Sequence, residues 1–440
     1  MKKTKIINKE KIALLGLGLE NQSLLKFLIK KNSKIDLTIC DLRNKNEINK
    51  ILKKIKINKK IKLQTEKNFN NNLEEFSLLF RSPGWPISCP GIQKAIQMGS
   101  KLSSPMNLFF QLCPTKNIIG VSGSKGKGTT SSLIYQIINN NNKKCFLGGN
   151  IGIAPFEFIN KIRKNDFVVL ELSSFQLEDL SYSPKIAVLT NIFKEHLSPA
   201  DPTNPNFHKN FKFYVDAKIN IAAYQKKDEY LIVNQKIKKY LKKYKLKSKI
   251  IYFQKSKTKS KLVGDFNQEN IAAAEIVAKI LKINKKIITK TINNFSNLEH
   301  RLEFVRQINN VNYFDNSFST TPESTIADLK SFKKNIILLA GGSDKGANFL
   351  KLAKEIKKRV KLIIFFPGKG SDRIIKSLKS VNFPSEKIKT CNNMQAAVKL
   401  ANQKSTEKDT VLLSTACASF GIFKNYKERG SLFKEAVQKL

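Results

Sequence analysis

The sequence predicts an α/β protein whose parallel sheets are divided among three domains. Short apolar strands alternate with helical patterns from end to end. Most strands finish at a Gly, Ser, Asn or Asp, as in sheets covered on both faces by helices. At 440 residues, the chain is also too long for a single ordinary core.

The expected strands are Ile12–Leu15, Leu37–Cys40, Ile118–Val121, Phe167–Leu170, Ile186–Thr190, Leu231–Val233, Asn312–Phe314, Ile336–Leu339, Leu362–Phe365 and Val411–Leu413. Domain breaks fall near Cys113-Pro114 and at Asn293 to Asn297, giving segments 1–113, 114–297 and 298–440. The polar, lysine-rich stretch Asn58 to Asn72 reads as loop or surface helix without chemistry. In sheets of this kind ligands collect at the carboxyl ends of strands, so chemistry is sought there.

Composition narrows the class. With 41% hydrophobic residues spread along the chain, cores can form throughout. The basic opening Met1 to Lys11 and the apolar run Ile12 to Leu19 resemble a signal peptide, but the run ends at Glu20 with no small-residue cleavage site. No apolar stretch approaches the ~18 residues of a membrane span. A cytoplasmic monomer is expected. The six cysteines are widely spaced without a C-x-x-C pair, which disfavours zinc and disulfides. A formal charge of +46 would attract polyanions. Lysine is over-used in every segment, however, and no basic run carries the aromatic interleaving of a nucleic-acid surface, so no dedicated nucleic-acid partner is expected.

The strongest local motif is Gly123-Ser124-Lys125-Gly126-Lys127-Gly128-Thr129-Thr130, between an apolar strand and a helix. Small residues let backbone N–H groups surround phosphate oxygens, the helix N-terminus adds its dipole, and Lys127 supplies a charge to the β/γ phosphates. This is an ATP site of the P-loop type. Val121 stands at the first glycine position and Gly128 follows the lysine, leaving Thr129 as the magnesium or phosphate hydroxyl. Glu171 ends one later strand and His196 follows another; beside a phosphate loop they suit a hard cation, with magnesium the best fit.

Near the N-terminus, Gly16-Leu17-Gly18 makes a G-x-G turn between strand and helix, without the third glycine of the dinucleotide fingerprint. Asp41 ends the next strand at roughly the spacing of a ribose-binding acid.

Together, the loop Gly123 to Thr130, Gly149-Asn150-Ile151-Gly152, Glu171 to Gln176, Asn191 to His196 and His300-Arg301-Leu302-Glu303 resemble, in this order, the Mur ligase superfamily. Folylpolyglutamate synthases share the first part. The run Leu413 to Phe420, continued through Phe423-Lys424-Asn425-Tyr426 to Arg429-Gly430, is similar to the D-glutamate-adding branch, and the likeness covers essentially the whole chain.

The resemblance implies a Rossmann-like N-terminal domain for the UDP substrate, a central ATP domain and a Rossmann-like C-terminal domain for glutamate. It implies ATP-driven amide formation on UDP-N-acetylmuramoyl-L-alanine through an acyl phosphate, with ATP and two Mg²⁺ ions as cofactors. Lys127, His196 and Lys218 would be catalytic. Thr129, Glu171, His196 and Lys218 would organise the metal, Lys218 as a carbamate. The UDP pocket would take Gly16, Leu17, Gly18, Asp41, Ser82, Gly84 and Asn150, with Arg81-Ser82-Pro83-Gly84 lining it. Asn267, Asn270, Arg301 and Asp315 (or Asn316) would contact ATP, and Thr320, Lys345, Ser419 and the backbone around Tyr426 would take glutamate.

Three residues depart from the family pattern: Phe318 where a lysine is usual, Phe266 for a histidine, and Gly421 for an acid. Ser198 to Phe213 is also longer than expected. Loss of a cation at Phe318 bears on the glutamate site. The competing readings are an L-glutamate-adding Mur ligase, a folylpolyglutamate synthase-like ligase and a basic nucleic-acid-associated P-loop ATPase.

Overall fold

A computed structural model describes residues 11–198, 205–344, 346–419 and 422–440. Its contacts divide the chain into two compact units, the first comprising residues up to 254 together with 269–291, the second 255–268 together with 292–440.

The first unit contains two sheets. One is built from β1 (Ile12–Leu15), β2 (Leu37–Asp41), β3 (Lys62–Thr65), β4 (Leu78–Arg81) and β5 (Lys101–Ser103), all parallel, in the order β3-β2-β1-β4-β5. β1 and β2 are buried along their whole length, which is why they read as unbroken apolar runs rather than alternating ones. The order reverses beside β1, so a crevice opens at the carboxyl ends of β1 and β4.

The other sheet comprises β6 (Ile118–Ser122), β7 (Cys145–Gly149), β8 (Phe167–Glu171), β9 (Ile186–Leu189), β10 (Tyr230–Asn234) and β11 (Lys249–Phe253), in the order β11-β10-β9-β6-β8-β7. β6 lies between β8 and β9, so the loop leaving β6 is flanked by the residues leaving both neighbours. Val121 pairs with Glu171 and Ser122 with Leu189. This adjacency, absent from the linear sequence, brings the expected site residues of three strands together.

The second unit holds β12 (Glu303–Ile308), β13 (Val311–Asp315), β14 (Ile336–Gly341), β15 (Val360–Phe366), β16 (Ile388–Thr390) and β17 (Thr410–Leu413), in the order β12-β13-β17-β14-β15-β16. Only the edge pair β12–β13 is antiparallel. The central strand β17 is inserted between β13 and β14 and brings the loop after Leu413 between theirs.

All ten expected strands are present within a residue or two of their expected ends. The stretch Asn58 to Asn72 is corrected. It contains edge strand β3, exposed at Lys62 as edge strands commonly are, and its Phe69 and Asn70 line the cleft described below. All six cysteines are free, five of them buried.

Candidate active site

A glycine-rich turn must expose backbone amides, and its side chains must turn away. Gly123 has φ 146° and Gly126 φ 82°. A Cβ at Gly126 would lie 2.1 Å from Asn270 Oδ1, so only glycine fits. Helix Lys127–Asn140 starts from this left-handed Gly126 and places Thr129 and Thr130 in its first turn. The loop is braced from β9: Asn191 Oδ1 accepts from Lys125 N at 2.8 Å, and its Nδ2 donates to Lys125 O at 2.9 Å. Ser124 Oγ meets Tyr214 OH at 2.6 Å. Lys127 Nζ donates to Gly123 O and Ser124 O at 2.9 and 3.0 Å, so its charge already sits over the loop.

Around this loop lie the other expected groups. Glu171, at the end of β8, is 2% exposed. Its Oε1 accepts from Asn150 Nδ2 at 2.9 Å, while the buried Oε2 has no partner. Helix Phe211–Ile219 carries Tyr214 and Lys218 one turn apart, hence on one face. Lys218 Nζ donates to Gly123 O at 2.9 Å and lies 4.7 Å from the Tyr214 ring centre. Burial first, then neighbouring Lys127, pushes the Lys218 amine well below the usual lysine range.

His196 has a left-handed backbone, φ 57°, and its ring stands edge-on to Phe175 at 5.0 Å. Desolvation by the packed loops, together with Lys218, Lys127 and Lys125, lowers its pKa to about 4 despite the opposing pull of Glu195. The residue is still more than a third exposed, so solvent screens part of that field. Glu195 was not among the expected site residues. Burial opposes its ionisation, but Lys125, His196, Lys127 and Lys218 outweigh burial and hold its pKa at about 2. Its carboxylate pairs with Lys125 Nζ at 3.1 Å.

The second feature of this unit is a cleft of about 700 Å³. It is lined by Gly16, Leu17, Gly18, Asp41, Ser82, Gly84 and Asn150, the entire expected UDP set. Two expectations change in detail. Asp41 is saturated: Leu17 N donates to Oδ2 at 2.6 Å, and Arg43 donates to both oxygens at 2.7 and 2.8 Å. It therefore fixes the turn and holds Arg43 in the cleft wall, where Arg43 offers the polar group. The signal was an Asp-x-Arg at the end of the second strand. Arg81 does not line the cleft. It is 1% exposed and grips Asp179 Oδ2 (2.9 Å), Phe175 O (2.7 Å) and Trp85 O (2.8 Å), tying β4 to the short helix after β8.

Glu20, in the cleft wall, bonds to Gln176 and keeps a buried, unpartnered Oε2. Burial, with Asp179 adding to it, raises its pKa to about 7, against Gln176 and Arg81. The unfolded carboxyl ionises near 4.5. Below that pH the group costs nothing; between the two values the unfolded chain releases a proton that the folded chain retains, so stability falls as pH rises, fully so above about 7. Glu20→Gln is therefore expected to match the parent at pH 4.5 and to be more stable at pH 8, by about 2 kcal/mol. Urea unfolding followed at Trp85, the sole tryptophan, would read this; an equal difference at both pH values would refute it.

In the second unit, Thr320 and Ser419 follow β13 and β17 and are drawn together where Ala416 N and Thr415 Oγ1 donate to Ser319 O, both at 3.1 Å. The backbone of Tyr426 is less open than expected, since its carbonyl accepts from Ser317 Oγ at 2.7 Å. Lys345, Phe420 and Gly421 lie outside the described residues. Asp315, expected at ATP, is already engaged by His300 Nδ1 (2.6 Å) and Ser317 N (2.8 Å). Arg301 lies 3.8 Å over the Phe318 ring. Asn267 Nδ2 donates to Val263 O at 2.8 Å. Asn270 belongs to the first unit and accepts from Thr130 Oγ1 at 3.3 Å, beside the phosphate loop. Arg429, read from the sequence only as part of the C-terminal run, is fully buried and joins Ser317 Oγ (2.9 Å), Ser317 O (2.8 Å) and Cys417 O (3.4 Å).

Residues 10–104 match the MurD-like N-terminal domain of Mur ligases, 121–261 the Mur ligase middle domain, and 300–417 the Mur ligase glutamate ligase domain. The chain is 36% identical to a UDP-N-acetylmuramoylalanine–D-glutamate ligase of Acetivibrio thermocellus, covering 100% of this chain and 98% of that protein. It is 34% identical to the ligase of the same name from Clostridium tetani, covering 99% and 98%. Among solved structures, the MurF ligase of Thermotoga maritima in complex with ADP shares the fold, with a TM-score of 0.59 at 14% identity over 99% of this chain and 97% of that one. With a phosphate loop, a buried acid and a nucleotide-sized cleft in one unit, and full-length relatives above 30% identity, the chain belongs to the Mur ligase family.

Proposed function

We propose that this protein joins the amine of D-glutamate to the alanyl carboxylate of UDP-N-acetylmuramoyl-L-alanine, driven by ATP, in the cytoplasmic assembly of a peptidoglycan precursor. One contact carries the reading from geometry: Asn150 lines the cleft and also holds Glu171 beside the phosphate loop, so one end of the cleft opens on the site of phosphoryl transfer. The full-length relatives named as D-glutamate ligases supply the amino acid and its configuration.

On this reading the segments 1–113, 114–297 and 298–440 serve the nucleotide sugar, ATP and glutamate. The substrate carboxylate oxygen attacks the γ-phosphorus, the bond to ADP breaks, and an acyl phosphate forms. The glutamate amine then attacks the acyl carbon, loses a proton, and expels phosphate from the tetrahedral intermediate. Both steps bring anions together. Lys127 and Lys125 supply fixed positive charge where it develops, and the loop amides replace water around the phosphates.

The residue types suit magnesium: the unpartnered Glu171 Oε2 and the Thr129 hydroxyl are oxygen donors that a hard cation would take, and His196 is neutral beside them in the sequence of motifs. Magnesium would supply charge neutralisation at the transferring phosphoryl group. Lys218 suits a carbamate, formed as R–NH₂ + CO₂ → R–NH–COO⁻ + H⁺, because burial favours its uncharged amine and the nearby lysines favour an anion. Among the described residues no helix is long and apolar enough to cross a membrane.

The test is phosphate release from purified protein, ATP and magnesium with UDP-N-acetylmuramoyl-L-alanine plus D-glutamate, the same nucleotide plus L-glutamate, or a folate plus L-glutamate. Turnover is expected with the first pair. Equal turnover with L-glutamate would overturn the configuration, and turnover with folate alone, or stimulation by RNA or DNA alone, would overturn the substrate.

A further inference from the structure

Residues 205–208 are anchored without help from regular structure. Their far end returns through a backbone bond from His208 N to His196 O at 2.9 Å. Asn206, 5% exposed, donates from Nδ2 to Pro83 O at 2.7 Å, beside the Ser82 and Gly84 that line the cleft. His208, 1% exposed, meets Ser174 Oγ at 2.9 Å and stacks on Phe175 at 4.8 Å, the ring that also faces His196. Between these two buried residues, Phe207 is 42% exposed and forms part of the cleft wall.

A large apolar side chain held at a cleft by pinned neighbours on both sides is placed rather than stray. The cleft gives the position a meaning. Strand order β2-β1-β4 sets Asp41 and Arg43 on one side of the Gly16 turn and Ser82 to Gly84 on the other, while Asn150, also in the wall, is bonded to Glu171. Phe207 follows Asn206, bonded to Pro83 O after β4, and precedes His208, stacked on Phe175 four residues after Glu171, so it belongs on the side of Glu171. A nucleoside diphosphate sugar lying along the cleft with its acceptor carboxylate at Glu171 would put its hexose between the diphosphate and that carboxylate. The C–H face of a pyranose is apolar, and an aromatic ring is its natural wall.

Resting on the function proposed above, we infer that Phe207 is a specificity-determining residue that packs against the hexosamine of the nucleotide substrate. Its contribution is to the sugar and not to the nucleoside diphosphate.

Trp85, the only tryptophan, lines the same cleft and reports binding by its fluorescence without turnover. The parent protein is expected to bind UDP-N-acetylmuramoyl-L-alanine more tightly than UDP. Phe207→Ala should weaken the former about tenfold, the scale of one lost apolar contact, leave the UDP affinity as it was, and raise KM for the nucleotide sugar but not for ATP. Phe207→Tyr, which keeps the ring, should restore it. An alanine variant that binds the nucleotide sugar as tightly as the parent, or that loses UDP and the nucleotide sugar equally, overturns the inference. Absence of phosphate release from the parent with this nucleotide and D-glutamate would instead overturn the function, and the binding comparison would still decide the role of Phe207.

Discussion

Lys127→Ala is expected to lower kcat by about 10²–10³-fold, the cost of removing one preorganised charge from a transition state of phosphoryl transfer. Two features make the effect large. The ammonium is already held over the loop by Gly123 O and Ser124 O, so little reorganisation separates the resting position from the working one. Its neighbour cannot replace it, because Lys125 Nζ is engaged by Glu195. The fold should survive, since the helix that Lys127 begins is held by buried Leu133, Ile134, Ile137 and Ile138. Phosphate release, with circular dichroism to check folding, measures this; an alanine variant with parental turnover would place the ATP site elsewhere.

The second large effect is at Lys218. A lysine 2% exposed, whose amine is held well below the usual lysine range by burial and by Lys127, is disfavoured as a cation. As a carbamate it would become an anion among lysines, reversing the sign of its contribution. Lys218→Ala should therefore lose more than about 10²-fold in kcat, on the scale of a missing electrostatic group, and recover partly with formate or acetate, which can enter the vacated space. Lys218→Arg separates the possibilities. It keeps a positive charge but cannot be carbamylated, so it should be as inactive as alanine. Full activity in the arginine variant, or in the alanine variant without added carboxylate, would dismiss the carbamate.

Much of the candidate phosphate site was legible because its parts are short strings at strand ends: the glycine loop, Glu171 and His196 each read locally, and parallel strand order brings them together. Pairing across the sequence was not legible. Asp41 and Asp315 read as acids free for ligands, yet each is consumed by neighbours, Asp41 by Leu17 N and Arg43, Asp315 by His300 and Ser317 N. Arg81 sits in a motif at a cleft but points into the protein, toward Asp179, 98 residues away. Phe318 read as the loss of a cation. The structure shows what replaces it, an aromatic face under Arg301 and against Tyr426 at 5.1 Å. Edge strands such as β3 and β16 were missed because half-exposed, lysine-bearing segments lack the apolar run that marks a buried strand.

Arg429 bears on how lineage and chemistry are separated in such proteins. Its guanidinium joins the loops after β13 and β17, and Gly430 leaves room where a Cβ would lie 2.1 Å from His300 Nδ1. The C-terminal string that resembles the branch thus serves as a joint between two loops. Substitution of Thr320 or Phe207 would remove none of the bonds that make it, so the string that marks the lineage and the side chains proposed to meet substrate are free to vary separately.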